Sequence, residues 1–298
     1  MALHGAAAIY PGYTVRSFYN RFRFLARFVF NWTSINRFVG RLSHLENTRF
    51  DPSSPKKLGL LEWPYINNKW EVDERFNIVA NHYETLAELA SVLSRTDNSN
   101  PLVLADLDTY CQGVKLVIDQ PTWFTREGEL VVNVFLENLR VASIAFVINK
   151  NNSEKIIFIG AIQGIHRGVS REDSLAINKK LTRQFKGLRP RSLLLEALKM
   201  MANNLGVASI SAITDKNRHH RHSYFGGDKV KRFHTNYDEI WLEQRGVFDA
   251  ATGFYELPVT ANRKQMSEIA SKKRSMYRQR YEMLDEIEKL VKKALDDV

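Results

Sequence analysis

GELVVNVFLE at 128–137, LRVASIAFVIN at 139–149 and KIIFIGAIQG at 155–164 together decide the fold class of this chain. All three segments are apolar and rich in β-branched residues, a composition that suits a buried pleated surface. Only short polar turns separate them, Asn138 between the first two and Lys150-Asn-Asn-Ser-Glu154 before the third. Connections this short predict consecutive antiparallel pairing, a three-strand meander. RPRSLLLEALKMMANNLG at 189–206 then carries proline at its start and glycine at its end, as a helix does, and VASISAI at 207–213 reads as a further strand beside the third. The expectation is a mixed α/β domain with a mainly antiparallel sheet and basic residues placed where a helix begins.

The flanks are read from the same signals. SREDSLAINKKLTRQFKG at 170–187 predicts a helix capped by Ser170, acidic in its first turn and closed by Gly187. Val72, Phe76, Val79, Tyr83, Leu86, Leu89 and Leu93 form one helical stripe over 71–95, whereas Leu102 to Leu116 fits helix and strand equally. Two prolines in DPSSPKK at 51–57 end an N-terminal helical region near Phe50, and GLLEWPYINNKW reads as a connection pinned by Trp63, Tyr65 and Trp70. NYDEIWLEQRG at 236–246 reads as an edge strand, and Arg263 to Val298 as a long exposed helix. The organisation is then a helical region at 1–100, an α/β domain at 101–260 and a charged C-terminal helix at 261–298.

With 44% apolar and 26% charged residues in 298, the composition is that of a folded globular protein. The lone Cys111 forms no intramolecular disulfide and reads as a buried bystander. The opening MALHGAAAIYPGY lacks the charged start and apolar core of a secretory signal, and no apolar run of about 18 residues is present to span a bilayer. The expected location is cytoplasmic, with peripheral contact at the inner membrane.

The membrane expectation comes from charge. The net charge is +10, and the first 45 residues contain no Asp or Glu while carrying six arginines. On one continuous helix Arg16, Arg23, Arg27 and Arg41 fall on a stripe opposite Phe18, Phe22, Leu25, Val29, Trp32 and Val39. Such a segment packs on the domain with a solvated arginine face, or docks on an anionic membrane through Arg16, Arg23 and Arg27. Nucleic acid is the weaker partner, because aromatic residues are not interleaved with the charge as a stacking platform.

QFKGLRPRS at 184–192 places a glycine, two arginines and a serine at the start of the second helix. Free backbone N–H groups and the positive dipole end make that a candidate anion site for a phosphorylated small molecule. Gln163, flanked by Gly160 and Gly164 after an apolar strand, suits a substrate contact. His219, His220, His222 and His234 invite a metal, but no cysteine pair or HExxH accompanies them and none is expected. With Lys229, Lys231 and Arg232 they read as a basic, phosphate-holding patch. Asp238 and Glu243 are candidate carboxylates for base work.

Two resemblances add to this. Gln184-x-x-Gly187-x-Arg189 is similar to the pyrophosphate loop of the Gcn5-related acetyltransferases, departing from it where Arg189 replaces a small residue, and the order meander, helix, strand resembles the central half of that fold. The resemblance implies coenzyme A or another acyl thioester held by Gln184, Gly187, Arg189, Arg191 and Ser192. It also implies that Tyr224, seven residues after Asn217, acts as general acid toward the departing thiolate. HYETL (82–86), GELVVNVFLE, IGAIQG (159–164), GLRPRSLLLEAL (187–198), NYDEIWLEQRG and FYELP (254–258) together resemble the VirK/YbjX family of bacterial proteins over residues 10–260. That resemblance implies a link to envelope integrity, antimicrobial-peptide resistance and virulence. The function expected is acyl transfer to an envelope-related acceptor, the alternative being non-catalytic binding of a phosphorylated lipid, nucleotide or protein.

Overall fold

The computed structural model describes residues 1–45, 55–89, 92–226, 236–261 and 263–296. Its centre is an eight-stranded sheet of order β1-β2-β3-β4-β5-β6-β8-β7. The strands are β1 Leu102–Asp106, β2 Val114–Asp119, β3 Leu130–Leu136, β4 Leu139–Asn151, β5 Glu154–Gln163, β6 Val207–Ile213, β7 Val247–Asp249 and β8 Phe254–Leu257. The expected meander is β3 to β5, with antiparallel pairs such as Ile144 to Val132 and Ile144 to Ile162. β6 lies beside β5 as expected, in the sheet's parallel pair. The undecided stretch after Leu102 is a hairpin, closed where Gly113 adopts a positive φ and donates its N–H to Asp108 Oδ1 at 2.7 Å.

Helices cover both faces. On one side lie α1 Ala2–Ile9, α2 Val15–Phe30, α3 Trp32–Leu42, α4 Pro55–Leu58 and α5 Val72–Glu88, with α5 packed on β4 and α3 on α5. α6 Arg171–Gln184 follows the meander, and α7 Pro190–Asn204 packs on the opposite face over β3 to β6. α8 is Tyr237–Glu243 and α9 is Ser271–Asp296. Ser170 caps α6 as expected, accepting from Asp173 N at 3.0 Å.

Three expectations change. The N-terminal basic segment is two helices, because Asn31 leaves the helical conformation and its Nδ2 donates to the Arg27 carbonyl at 2.8 Å, closing α2 before α3 begins. The 236–246 segment is a helix and not an edge strand. Asn236 caps it, accepting from Asp238 N at 3.0 Å, acidic residues fill its first turn, and Trp241 anchors it by donating from Nε1 to the Ile213 carbonyl at 2.8 Å. The C-terminal helix is not exposed all round, since Met283, Leu284, Ile287, Val291 and Leu295 bury one stripe against α7 and β1.

A bulge in the meander positions the site. β4 and β5 pair at Ala145–Ala161 and again at Phe146–Ile159, leaving Gly160 as an extra residue. β5 pairs with β6 only as far as Ile159–Ala212. Beyond the bulge β5 keeps its partner β4, whereas β6 runs on with β8, so the parallel pair splits. A Cβ on Gly160 would lie 2.0 Å from the Glu127 carbonyl oxygen. Gly160→Ala is therefore expected to destabilise the chain by about 1–3 kcal/mol, as overpacking does. Urea unfolding measures this, and a midpoint equal to the parent's would show that the close approach is not tight.

Candidate functional site

The split opens a cleft of about 1290 Å³. Ile162, Gln163 and Gly164 form its β5 wall, Arg218, His219 and His220 of the turn after β6 the facing wall, and the start of α7 its floor. α8 closes the rim with Asn236, Tyr237, Glu239 and Glu243. Seven lysines and arginines line it against three glutamates, so the cleft is positive.

At the floor, Gly187 has φ +79, a conformation that turns the chain into α7. Pro190 opens the helix, and the N–H groups of Arg191 and Ser192 fall in the first turn, where helix geometry offers them no acceptor. The half-buried Arg191 guanidinium lies over Gly164, where a Cβ would meet Nη2 at 2.8 Å. Burial lowers the Arg191 pKa, and interaction with Tyr237 opposes that. Arg189 is exposed, its Nη1 3.8 Å from Glu243 Oε2. The loop is braced from α9, whose Arg280 donates to the Lys186 carbonyl from Nε at 2.9 Å and Nη2 at 2.7 Å.

Opposite this floor stands Glu127, buried in the segment that leads into β3. Gln163 Nε2 donates to its Oε2 at 2.9 Å, and His219 Nδ1 lies 3.9 Å from its Oε1. Burial pushes the Glu127 carboxyl up to about 7, against the opposing pull of Arg218, the Gln163 hydrogen bond and Arg126. Tyr237 is raised by burial to about 12 and stays a neutral phenol. Its oxygen accepts from Ile162 N at 3.1 Å, and the Arg218 guanidinium stacks 3.6 Å from its ring centre. Burial drives His219 well below the usual imidazole range, with His220, Arg126 and Arg218 acting the same way. The cleft thus presents a carboxyl that titrates near neutrality, a phenolic proton, a neutral imidazole and an anion-binding floor.

Of the residues expected from sequence, Gln163, Gly187, Arg189, Arg191, Ser192 and Glu243 come together here. Gln184 ends α6 on the exposed side and does not line the cleft. Asp238 does not reach it either: as a helix, α8 turns this side chain toward Asp215, whose N–H donates to Asp238 Oδ1 at 2.8 Å. Tyr224 lines a second cavity, its ring 5.8 Å from the Arg126 guanidinium, because a tight turn at 223–225 carries it away from Tyr237. Lys229, Lys231, Arg232 and His234 lie outside the described residues. Among those described, no group of three or more His, Cys, Asp or Glu side chains could hold a metal ion. Glu127 and Tyr237 carried no periodic or motif signal of a site; the one precedes a strand by three residues and the other begins a helix.

The geometry defines a mixed α/β protein with an arginine-rich cleft where its sheet divides. The chain belongs to the family described as "Protein of unknown function (DUF535)", which matches residues 14–293. It is 28% identical over 256 residues to "Uncharacterized protein YbjX" of Escherichia coli K12, covering 84% of this chain and 76% of that protein, which bears out the VirK/YbjX resemblance. It is also similar to two proteins of Haemophilus influenzae, each named "Uncharacterized protein". One is 32% identical over 162 residues (54% of this chain, 51% of the relative), the other 26% over 289 (95% and 88%). No solved structure matches.

The raised pKa of Glu127 has a consequence for stability. Folded, this carboxyl keeps its proton up to about 7, whereas unfolded it loses it near 4.5. Its contribution favours folding below the unfolded value and is lost as pH rises through the folded one. Glu127→Gln cannot ionise, so it should stabilise the chain above pH 7 by roughly 1–3 kcal/mol and have little effect below the unfolded value of 4.5. Thermal melts of parent and variant across pH check this, and an equal difference at both ends would mean that Glu127 does not titrate in this window.

Proposed function

We propose that the cleft carries out acyl transfer from a thioester donor bearing phosphate groups, coenzyme A being the test case, to an envelope-related acceptor. The observation that carries this reading is the opposition, across one cleft, of an anion-binding helix start and a buried carboxyl titrating near neutrality. The cleft begins where the β5–β6 pair parts, just beyond Ile159, and its volume exceeds what a ligand of this size needs. The order of meander, helix and parallel strand supports the same reading by its resemblance to the Gcn5-related acetyltransferases.

In this scheme the donor phosphates sit against Arg191, Arg189 and the N–H groups of Arg191 and Ser192. Glu127, held by Gln163, takes the proton of the acceptor amine or hydroxyl as its nitrogen or oxygen bonds to the acyl carbon. The tetrahedral intermediate collapses with cleavage of the carbon–sulfur bond, and the phenol of Tyr237 protonates the departing thiolate. Proton exchange with water restores both groups. An envelope acceptor would fit the link to envelope integrity, antimicrobial-peptide resistance and virulence that the VirK/YbjX resemblance implies.

Calorimetric titration of coenzyme A into the parent should show binding that weakens on the order of ten- to a hundredfold in Arg191→Ala, the loss of one charge-assisted contact. Thiol release from acetyl-coenzyme A with a membrane extract as acceptor should rise about tenfold per pH unit below pH 7 and level off above it, and should be abolished in Glu127→Gln while binding persists. Binding without thiol release would make the chain a binding protein for phosphorylated ligands, and no binding by the parent would remove the thioester reading.

A further inference from the structure

Helix α2 is reversed with respect to an ordinary surface helix. Phe24 and Phe28 face the core, while Val15, Phe18, Phe22, Val29 and Phe30 point to solvent, Phe30 at 88% exposure. A surface helix keeps its charges on the outward stripe. Here that stripe, with Tyr19 and Ala26 completing it, holds no charged residue, and the exposed Tyr13 and Trp32 extend it at either end. Arg21 reaches over it, 5.5 Å from the Phe18 ring centre and 5.8 Å from that of Tyr13, and an apolar stripe of this kind marks a contact site.

The arginines expected on the solvent face instead line one flank of the helix. Arg16, Arg23 and Arg27 form a wall of a second cavity, of about 940 Å³, to which Arg75 and Arg126 also contribute. Its carboxylates are Glu62 and Glu71. Buried Glu62 is shared by Arg23 at 2.9 Å and Arg27 at 3.2 Å. Arg75 donates to the carbonyls of Leu60, Trp63 and Trp70, and Arg126 stacks on the Trp63 ring at 4.5 Å. Five guanidiniums against two carboxylates leave the cavity positive, beside an apolar stripe.

We infer that α2 is an interfacial helix that docks the protein on an anionic phospholipid bilayer. Its outward aromatic stripe enters the boundary between headgroups and acyl chains, and a lipid phosphate occupies the arginine cavity on its flank. Charge complementarity selects this occupant. A second copy would bring another positive face to this one, since residues 1–45 hold no Asp or Glu, the flanking cavity sets five arginines against two glutamates, and the chain carries +10. A lipid phosphate opposes both the arginines and the net charge.

The test is sedimentation of the full chain with phosphatidylcholine vesicles, with and without phosphatidylglycerol. The parent should bind only the anionic vesicles, Phe18→Ser/Phe22→Ser should bind more than tenfold more weakly, and Arg16→Gln about fivefold more weakly. Because these side chains are exposed, the melting curves should match the parent's. Independently of any variant's folding, brominated lipid should quench parent fluorescence, and the quenched component should be missing in Trp32→Phe. Failure of the parent to bind anionic vesicles, equal binding to neutral ones, or full binding by the Phe variant overturns the inference. A parent dimer that Phe18→Ser/Phe22→Ser dissociates, without vesicle binding, would assign the stripe to a second copy.

Discussion

The architecture depends on one backbone insertion, the extra residue Gly160 in β5. A bulge bends its strand and increases local twist. The β5–β6 ladder ends at Ile159–Ala212, beside the bulge, while β6 stays paired on its other edge with β8 through Ile213. The same residue admits the Glu127 carbonyl to a distance that any side chain would block. One missing Cβ therefore lies where the cleft begins and lets the segment that bears Glu127 approach β5.

The opposite wall is held by elements distant in sequence. Helix α7 is buried along most of its length, so its first turn cannot drift, and Arg280 of α9 ties down the loop that precedes it. Fixed donors aimed at one place stabilise charge without reorganising. The neighbouring charges also limit one another: Arg218 lowers the Glu127 pKa and its guanidinium lies over Tyr237, while burial raises both acids. The carboxyl is thereby left near neutrality and the phenol remains protonated.

Buried carboxylates join the helical layer to the sheet. Glu129 accepts from Tyr65 at 2.9 Å and Tyr83 at 2.6 Å and pairs with Lys57; burial pushes its pKa up, but Lys57 and the Tyr83 hydrogen bond hold it below the usual carboxylate range. His82 stays neutral, its pKa lowered by burial to about 4, with Nδ1 accepting from Ile148 N at 3.0 Å. Glu62 plays the corresponding part under α2. Buried charges paired in this way fix the register of packed layers, because any slip would strand one of them. Drawing Arg23 and Arg27 toward Glu62 also leaves the aromatic side of α2 facing outward.

The sequence by itself determined the meander, the strand beside it, the Ser170 cap and the start of α7 at Pro190. Each rests on local physics: β-branched runs, short turns, cap chemistry and the fixed φ of proline. It also brought forward Gln163, an amide between two glycines at a strand end, and Gly187, Arg189, Arg191 and Ser192, because a glycine and basic residues before a helix mark an anion site wherever the helix packs. Strand-like alternation misled at 236–246, where the Asn236 cap and the tertiary anchor of Trp241 produce a helix and turn Asp238 away. Tertiary structure alone decided that Glu127 and Tyr237 face the cleft and that Tyr224 does not. Their roles arise from burial and from partners contributed by β5, β6 and α8, and a carboxylate acquires a neutral pKa only once a fold has desolvated it. The outward side of α2 was decided the same way, by a buried glutamate in a later segment that captured the arginines.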